Sequence, residues 1–372
     1  MSDYIPLDVQ MDVVNRLPVK TILRLRRVSK VWKTNIDSQA FITGYGARSS
    51  DDCFFTMTFD QGYKGFMCAV DSNLTITPID PQLQLAYMMH VGNSCGVSCF
   101  IYGANLMAVI LNPCLRKSIG VFIPFYTNQI ECSKISFGFG VRSDTLDPCI
   151  VKVSYPIFQT GFWYVSVFSL NNLAWHRLDV FKVPRQGLRL KRKSQAVVGR
   201  FIYWATTERL VTEKGTPYKD RTLVSFDMID NQFHVIEIPY LLKVVIPVPF
   251  YVCALGNSVV ISGMTMASEI PLFSAWLLDL DGSSITRFSN LFCIPTPVVN
   301  RLVGFTSNQE LIVEANVGHM LGHTLFVFDQ RAEKFVSLGI EGNPGSFYIA
   351  PHKESLILIN HRDRSLYSMY TS

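Results

Sequence analysis

The sequence predicts a small all-α head followed by a large all-β body. Three observations carry this reading. Apolar residues recur at helical spacing only up to about residue 45. From about residue 50 onward, short runs rich in Val, Ile, Phe and Tyr alternate with clusters of Gly, Asn, Asp and Ser, a strand-and-turn pattern. Charge divides at the same place: residues 1–48 hold eight basic and four acidic side chains, a net +4 of the chain's +5.

At 372 residues the chain exceeds one typical domain. With 48% hydrophobic and 17% charged residues, it excludes extensive disorder. The longest apolar stretch, Leu241 to Gly256, is broken by Lys243, Pro247 and Pro249 and falls short of the ~20 residues a membrane span needs, so no membrane partner is expected. Met1-Ser2-Asp3-Tyr4 shows no basic region followed by an apolar run, so no secretory signal is expected and the sequon Asn73-Leu74-Thr75 has no meaning. Nine cysteines, odd in number and without a C-x-x-C pair, predict reduced thiols in the cytosol or nucleus.

The head reads as three short helices. Val9, Val13 and Leu17 recur at four-residue steps, with Pro6 before them and Pro18 closing the run, because a proline pushes the preceding residue out of helical geometry. Pro18 can open a second helix at no cost in hydrogen bonding, with Val19, Ile22 and Leu23 at helical spacing. Ser29 is a candidate N-cap for a third helix that carries Trp32 and Ile36 on one face, and Phe41 lies just beyond. About 40 residues bury too little surface to stand alone, so the head should lean on its own body or on a partner.

Ile5-Pro6-Leu7-Asp8-Val9, Arg16-Leu17-Pro18-Val19-Lys20 and Leu23-Arg24-Leu25-Arg26-Arg27-Val28-Ser29-Lys30-Val31-Trp32 together resemble the F-box of plant F-box proteins. The family pattern is approximately L-P-x-D-L, R-L-P-V-K, L-R-x-R-x-V-S-K-x-W, and most positions match in order and spacing. Ile5, Asp12 and Arg27 depart from it mildly. The resemblance implies binding to a Skp-family adaptor and, through it, to a cullin. Carried over by position, the adaptor-binding candidates are Pro6, Leu7, Val9, Val13, Leu17, Pro18, Val19, Ile22, Leu25, Val28 and Trp32. About half of these should instead pack the helices together, with Val13, Leu23 and Ile36 the foremost structural ones. Lys20, Arg24 and Arg27 are expected on a solvated helix face, ahead of an acidic partner surface or nucleic acid.

The body carries a weak repeat. Leu106–Val121, Val165–Leu178, Leu223–Ile238, Ala275–Phe288 and Leu325–Leu338 share one plan of apolar strand, Asn or Asp turn and second strand, with an earlier copy at Phe66–Ile79. The turn residues Asp71, Asn112, Asn171, Asp227, Asp279 and Asp329 are 41, 59, 56, 52 and 50 positions apart. Further apolar pieces begin at Gly199, Gly256 and Asn308. Two hairpins per ~50 residues make four strands per unit, the period of a kelch-like β-propeller. The expected architecture is about six blades, with five or seven as alternatives and a β-sandwich as the rival. Asp and Asn suit the turns because their side chains fold onto the nearby backbone.

The family resemblance extends weakly over the body. Gly92-Asn93-Ser94-Cys95-Gly96, Leu111-Asn112-Pro113, Phe137-Gly138-Phe139-Gly140, Ser225-Phe226-Asp227 and Gly339-Ile340-Glu341-Gly342-Asn343-Pro344 are similar to landmarks of F-box-associated domains. Leu111 and Pro148-Cys149 depart from that pattern.

Enzyme signatures are not in view. The chain has no phosphate-binding loop, nucleophile elbow or H-E-x-x-H. His319 and His323 are four apart in a Gly-flanked turn and are not expected to bind metal. The basic run Lys182, Arg185, Arg189, Lys191, Arg192 and Lys193 is expected in a solvated inter-blade loop, with nuclear import or RNA contact as the alternative. Together with the helix and strand patterns, the resemblance implies an F-box domain at 3–45, a β-propeller-like F-box-associated domain at 50–370, no cofactor, and a non-catalytic receptor that brings a protein substrate to a ubiquitin ligase. Substrate choice is expected on the loops 181–195, 206–221 and 262–272, the last carrying Met264, Met266, Pro271 and Leu272. The rivals are an F-box interaction protein without a degradative role and a kelch-like propeller enzyme.

Overall fold

The computed structural model describes residues 5–59, 65–71, 74–78, 88–102, 107–124, 132–156, 163–179, 184, 187–211, 215–246, 249–265, 271–296, 298–306, 308–316, 322–329 and 333–367. The head consists of α1 (Leu7–Asn15), α2 (Val19–Leu25), α3 (Lys30–Ile36) and α4 (Gln39–Tyr45). Pro6 and Pro18 stand at the N-caps of α1 and α2, as their fixed φ allows. Ser29 caps α3 by accepting from the Trp32 N–H at 3.1 Å. The fourth helix was not legible as such. Ser38 caps it by accepting from the Phe41 N–H at 3.2 Å, so the isolated Phe41 belongs to a turn-length helix rather than to a tail.

Gly46, at φ 72°, ends α4, and the next residue begins a β-strand. The head therefore joins the body through one residue in a left-handed conformation that favours glycine.

The described strands of the body form six sheets, five of four strands and one of five. Blade one pairs Tyr348–Ser355, from the far end of the chain, with Ala47–Phe59, Gly65–Val70 and Ile76–Pro78. Blade two is Met89–Ser94, Val97–Tyr102, Met107–Asn112 and Lys117–Phe122, and blade three Cys132–Val141, Pro148–Pro156, Tyr164–Ser169 and Ala174–Arg177. Blade four is Leu188–Val198, Phe201–Val211, Pro217–Asp227 and Gln232–Glu237. Blade five is Phe250–Leu255, Ser258–Thr265, Leu272–Leu280 and Ile285–Pro295, and blade six Val299–Phe305, Leu311–Ala315, His323–Asp329 and Lys334–Gly342. Ser365–Tyr367 adds a parallel fifth strand outside blade two. The body is a β-propeller closed by strands from both ends of the chain, and the sandwich alternative is excluded.

The core explains why the strands read as continuous apolar runs. The second strands of blades two to six are largely buried on both faces, so odd and even residues serve different neighbours. Ile202 and Trp204 pack toward blade three, whereas Tyr203 and Ala205 pack toward blade five. Leu311 and Val313 face blade five while Ile312 faces blade one. The Phe137–Gly140 motif has the same origin. A side chain at Gly138 would strike the Trp204 ring, and one at Gly140 would strike Met228, so the two glycines let blade four approach closely.

All six predicted turn positions lie at the hairpin between the third and fourth strands of their blade. Four of these hairpins share one register: Asn112 pairs with Lys117, Ser169 with Ala174, Asp227 with Gln232 and Asp329 with Lys334. The last residue of each connection, Arg116, Leu173, Asn231 or Glu333, has φ of 50–53°. Asn112 and Asp227 accept from the loop backbone, at Leu115 N (3.2 Å) and Ile229 N (2.9 Å). In blade three the corresponding residue is Ser169, which accepts from Asn172 N at 3.2 Å, so Asn171 sits two positions inside the loop.

Several segments predicted as loops are strand. Arg189, Lys191 and Arg192 lie in the inner strand of blade four, not in a connection, and Lys182 and Arg185 fall outside the described residues. The 206–221 segment is largely the second hairpin of that blade, and 262–265 extends a strand of blade five; Met266 is outside the described residues.

Candidate interaction surfaces

The head and the body share one core. Val14, Val19, Ile22, Ile36, Ile42 and Tyr45 cluster with Leu115, Leu146, Phe168 and Leu356–Ile359 of the blades. Polar contacts seal the joint. Glu354 Oε2 accepts from the Val19 N–H at 3.2 Å and from the Tyr45 hydroxyl at 3.1 Å, and Gln39 Nε2 donates to the Thr145 carbonyl at 2.7 Å. Asn112 Nδ2 donates to the Ser355 and Ile357 carbonyls at 3.0 and 2.7 Å, tying blade two to the same segment. A head too small to bury its own apolar face thus buries it on the propeller.

This docking sorts the predicted adaptor-binding residues. Val19 and Ile22 are 1% and 0% exposed and have no surface to offer a partner, which corrects their assignment. Their helix turns its apolar face toward α4 and the blades. Val13, expected to be structural, is 55% exposed, and Val14 takes the inward position instead. The four-residue steps of Val9, Val13 and Leu17 therefore mark an outward stripe, with Val9 at 47%. Pro6, Pro18 and Val28 are exposed, and Leu7, Leu17, Leu25 and Trp32 are half-buried. Ile36 is buried as expected, and Leu23 packs against the shared core.

Ile5 and Val31 are exposed apolar residues that the reading by position left out. The signal was their place beside Pro6 and near Val28, residues already assigned to the adaptor. Trp32 Nε1 donates to Gln10 Oε1 at 2.9 Å, holding α3, which carries Val31, against α1, which Ile5 precedes. Arg26 donates to both oxygens of Asp37, at 2.5 and 2.7 Å, and Lys33 to one at 2.6 Å. Burial raises the Asp37 carboxyl, but these bonds outweigh it and hold it below its ordinary range. Lys20, Arg24 and Arg27 lie on the exposed face, as expected.

Residues 3–43 match the model of the F-box domain. The head is an F-box domain. Over a longer span, the chain is 24% identical to a putative F-box protein of Arabidopsis thaliana across 237 residues, covering 49% of this chain and 60% of that protein. A second Arabidopsis F-box protein is 24% identical over 64% of this chain and 60% of its own length, and a third 23% identical over 75% and 88%. The chain thus spans about 60% of the length of the first two of these relatives. Among solved structures, an oligogalacturonate lyase in complex with manganese superposes with a TM-score of 0.43 at 7% identity, over 78% of this chain and 83% of that one. The β-propeller domain of the trilobed protease from Pyrococcus furiosus superposes at 0.34 and 10% identity, over 78% and 71%.

Behind the F-box, the propeller encloses a central cavity of about 1310 Å³. Its wall is drawn from the inner strands of all six blades and includes His90, Gln195, Tyr251, Arg301, Phe305 and Lys353. His90 stacks on Tyr348 with ring centroids 3.3 Å apart. Arg301 donates from Nε to Glu314 at 2.7 Å and from Nη2 to the Phe347 carbonyl at 2.6 Å, and Glu314 also accepts from the Gly345 N–H at 2.7 Å. His323 Nδ1 lies 2.5 Å from Glu314, so this histidine is part of a structural network; His319 falls outside the described residues. Among the described residues, no group of three or more His, Cys, Asp or Glu converges.

Proposed function

We propose that this chain is the substrate-receptor subunit of a Skp–cullin–F-box type ubiquitin ligase, acting in the cytosol or nucleus. The observation that carries the reading is the F-box match at 3–43 on helices whose inner face is committed to the propeller while Val9, Val13 and Val28 stay exposed. An adaptor would cover that outward apolar stripe, and the propeller would hold the target protein within reach of the transfer machinery, an effective-concentration role.

The receptor itself is non-catalytic in this reading. Ubiquitin transfer through a cysteine needs a thiolate, and thiols sheltered from water resist forming one. Burial pushes the Cys114 thiol up to about 11 and Cys253 to about 12, and raises Cys99 and Cys149 further, whereas Cys293 on the outer strand of blade five is exposed.

Co-expression with a Skp-family adaptor tests the assignment. The intact chain should co-purify with the adaptor, and Val13→Asp should abolish co-purification without altering the circular dichroism of the body. Retention of the adaptor at full level by that variant would overturn the reading.

A further inference from the structure

We propose that the central cavity of the propeller receives an acidic peptide segment of the captured protein, one that alternates carboxylate with apolar side chains. This deepens the receptor reading above and rests on it.

The wall has an unusual charge inventory. Among its described residues there is no Asp or Glu, while Arg301, Lys353 and His90 are part of it. Arg301 is balanced by Glu314 from behind the wall. Lys353 is not: among the described residues no carboxylate lies within ion-pair distance of it, and the adjacent Glu354 points to the F-box instead. Its charge reaches Cys95, at the end of the cavity that carries the tight Cys95-Gly96 turn.

Lys191 supplies a second such cation. It lines a small adjoining cavity that shares Met89, His90, Val91 and Gln195 with the large one. Its ammonium lies 3.2 Å from the centroid of the Tyr251 ring and donates to the Phe250 carbonyl at 2.9 Å. Burial, with Arg301 nearby, pushes it down to about 8, so its charged form is under-compensated where it stands. A carboxylate brought into the cavity would supply the missing compensation.

Size and surface select a peptide over a small anion. A cavity of about 1310 Å³ exceeds the roughly 300–1,000 Å³ of typical small-molecule sites. Tyr251, Phe305, Phe347 and Met89 on the wall offer apolar contact between the cations, which inorganic ions would leave unused.

The test uses the full chain and fluorescein-labelled octaglutamate, with octalysine, a Gly-Ser octapeptide and inorganic phosphate as comparisons. Anisotropy should rise with octaglutamate alone, and the response should weaken with added salt. Lys353→Glu and Lys191→Glu should each weaken binding by roughly tenfold, and Lys353→Gln by less. Equal binding of the neutral or basic peptide, binding of phosphate without the peptide, or no response to any probe by a chain with wild-type circular dichroism would overturn the proposal. Adaptor co-purification is measured in parallel on the same variants and should be unchanged. Its loss from the unaltered chain would count against the receptor reading, whereas the peptide titration would still decide the chemistry of the cavity.

Discussion

The Tyr45 hydroxyl donates to Glu354 Oε2 at 3.1 Å across 309 positions of sequence. The same oxygen takes the Val19 N–H, one of the unpaired donors at the start of α2. One carboxylate thus ends two helices' polar accounts where the F-box meets the propeller, and it adjoins the residue, Lys353, that faces the cavity. The F-box is therefore held in a fixed direction relative to the blades.

Glu354→Ala should loosen this joint. The buried Val19 N–H loses its acceptor, and the Tyr45 hydroxyl is left with the Leu17 carbonyl at 3.3 Å, which together cost about 1–3 kcal/mol. Hydrogen exchange should accelerate in α2 and α4 while the inner strands of blades four and five keep their protection. Unchanged exchange in the helices would show that apolar packing alone fixes the joint.

Val13 and Ile22 should separate partner binding from stability. Ile22→Ala removes a fully buried side chain from the shared core and should cost about 2–5 kcal/mol in urea denaturation. Val13→Asp changes an exposed position and should leave the denaturation midpoint nearly in place while adaptor co-purification is lost. Similar stability losses in the two variants would contradict the sorting of inward and outward positions.

Gly138→Ala should be destabilising although alanine is the better strand former. The added methyl meets the Trp204 ring, and overpacking of this kind costs about 1–3 kcal/mol. Combining it with Trp204→Leu should cost less than the sum of the two single changes, because the smaller side chain leaves room for the methyl. Strict additivity in denaturation would locate the strain elsewhere.

Acid should weaken the F-box through Asp37. Its carboxyl titrates below the ordinary 3.8 in the folded chain, because the bonds from Arg26 and Lys33 outweigh burial. A depressed carboxyl stabilises the fold fully above its unfolded value, and that stabilisation is lost as pH falls through the lower folded value. Unfolding midpoints should therefore drop between neutral pH and pH values below 3.8, and Asp37→Asn should flatten that drop. An unaltered profile in the variant would assign the acid sensitivity to other pairs, such as Arg200 with Asp227.

Local chemistry was legible wherever a residue acts on its own neighbours. Pro6, Pro18 and Ser29 mark helix starts through φ and side-chain capping, and both effects operate within four residues. Asp71, Asn112 and Asp227 mark hairpins for the same reason, whereas in blade five Asp281, two residues beyond Asp279, bonds the turn backbone. Asn171 misled by two positions, because a serine can make the same turn bond and a neighbouring Asn then looks like the better candidate. The outward direction of Val13 was not legible. Helical periodicity finds a stripe but does not say whether blades or solvent face it.

Spacing and short-range bonding are enough to read off the division into helices and blades, the four-strand unit, the repeat of its turns and the identity of the F-box. That Val14 rather than Val13 faces inward, and that Lys191 stands on an inner strand, follows from the closed ring and not from local pattern. The same closure joins the F-box to the propeller through Glu354 and leaves the cavity wall, among the described residues, with Arg301 and Lys353 and no Asp or Glu. Each of these depends on which distant segments the closed ring brings together. Contacts such as Tyr45 with Glu354 exist because strands from both ends of the chain complete one blade, and no local pattern encodes what lies on the far side of that closure.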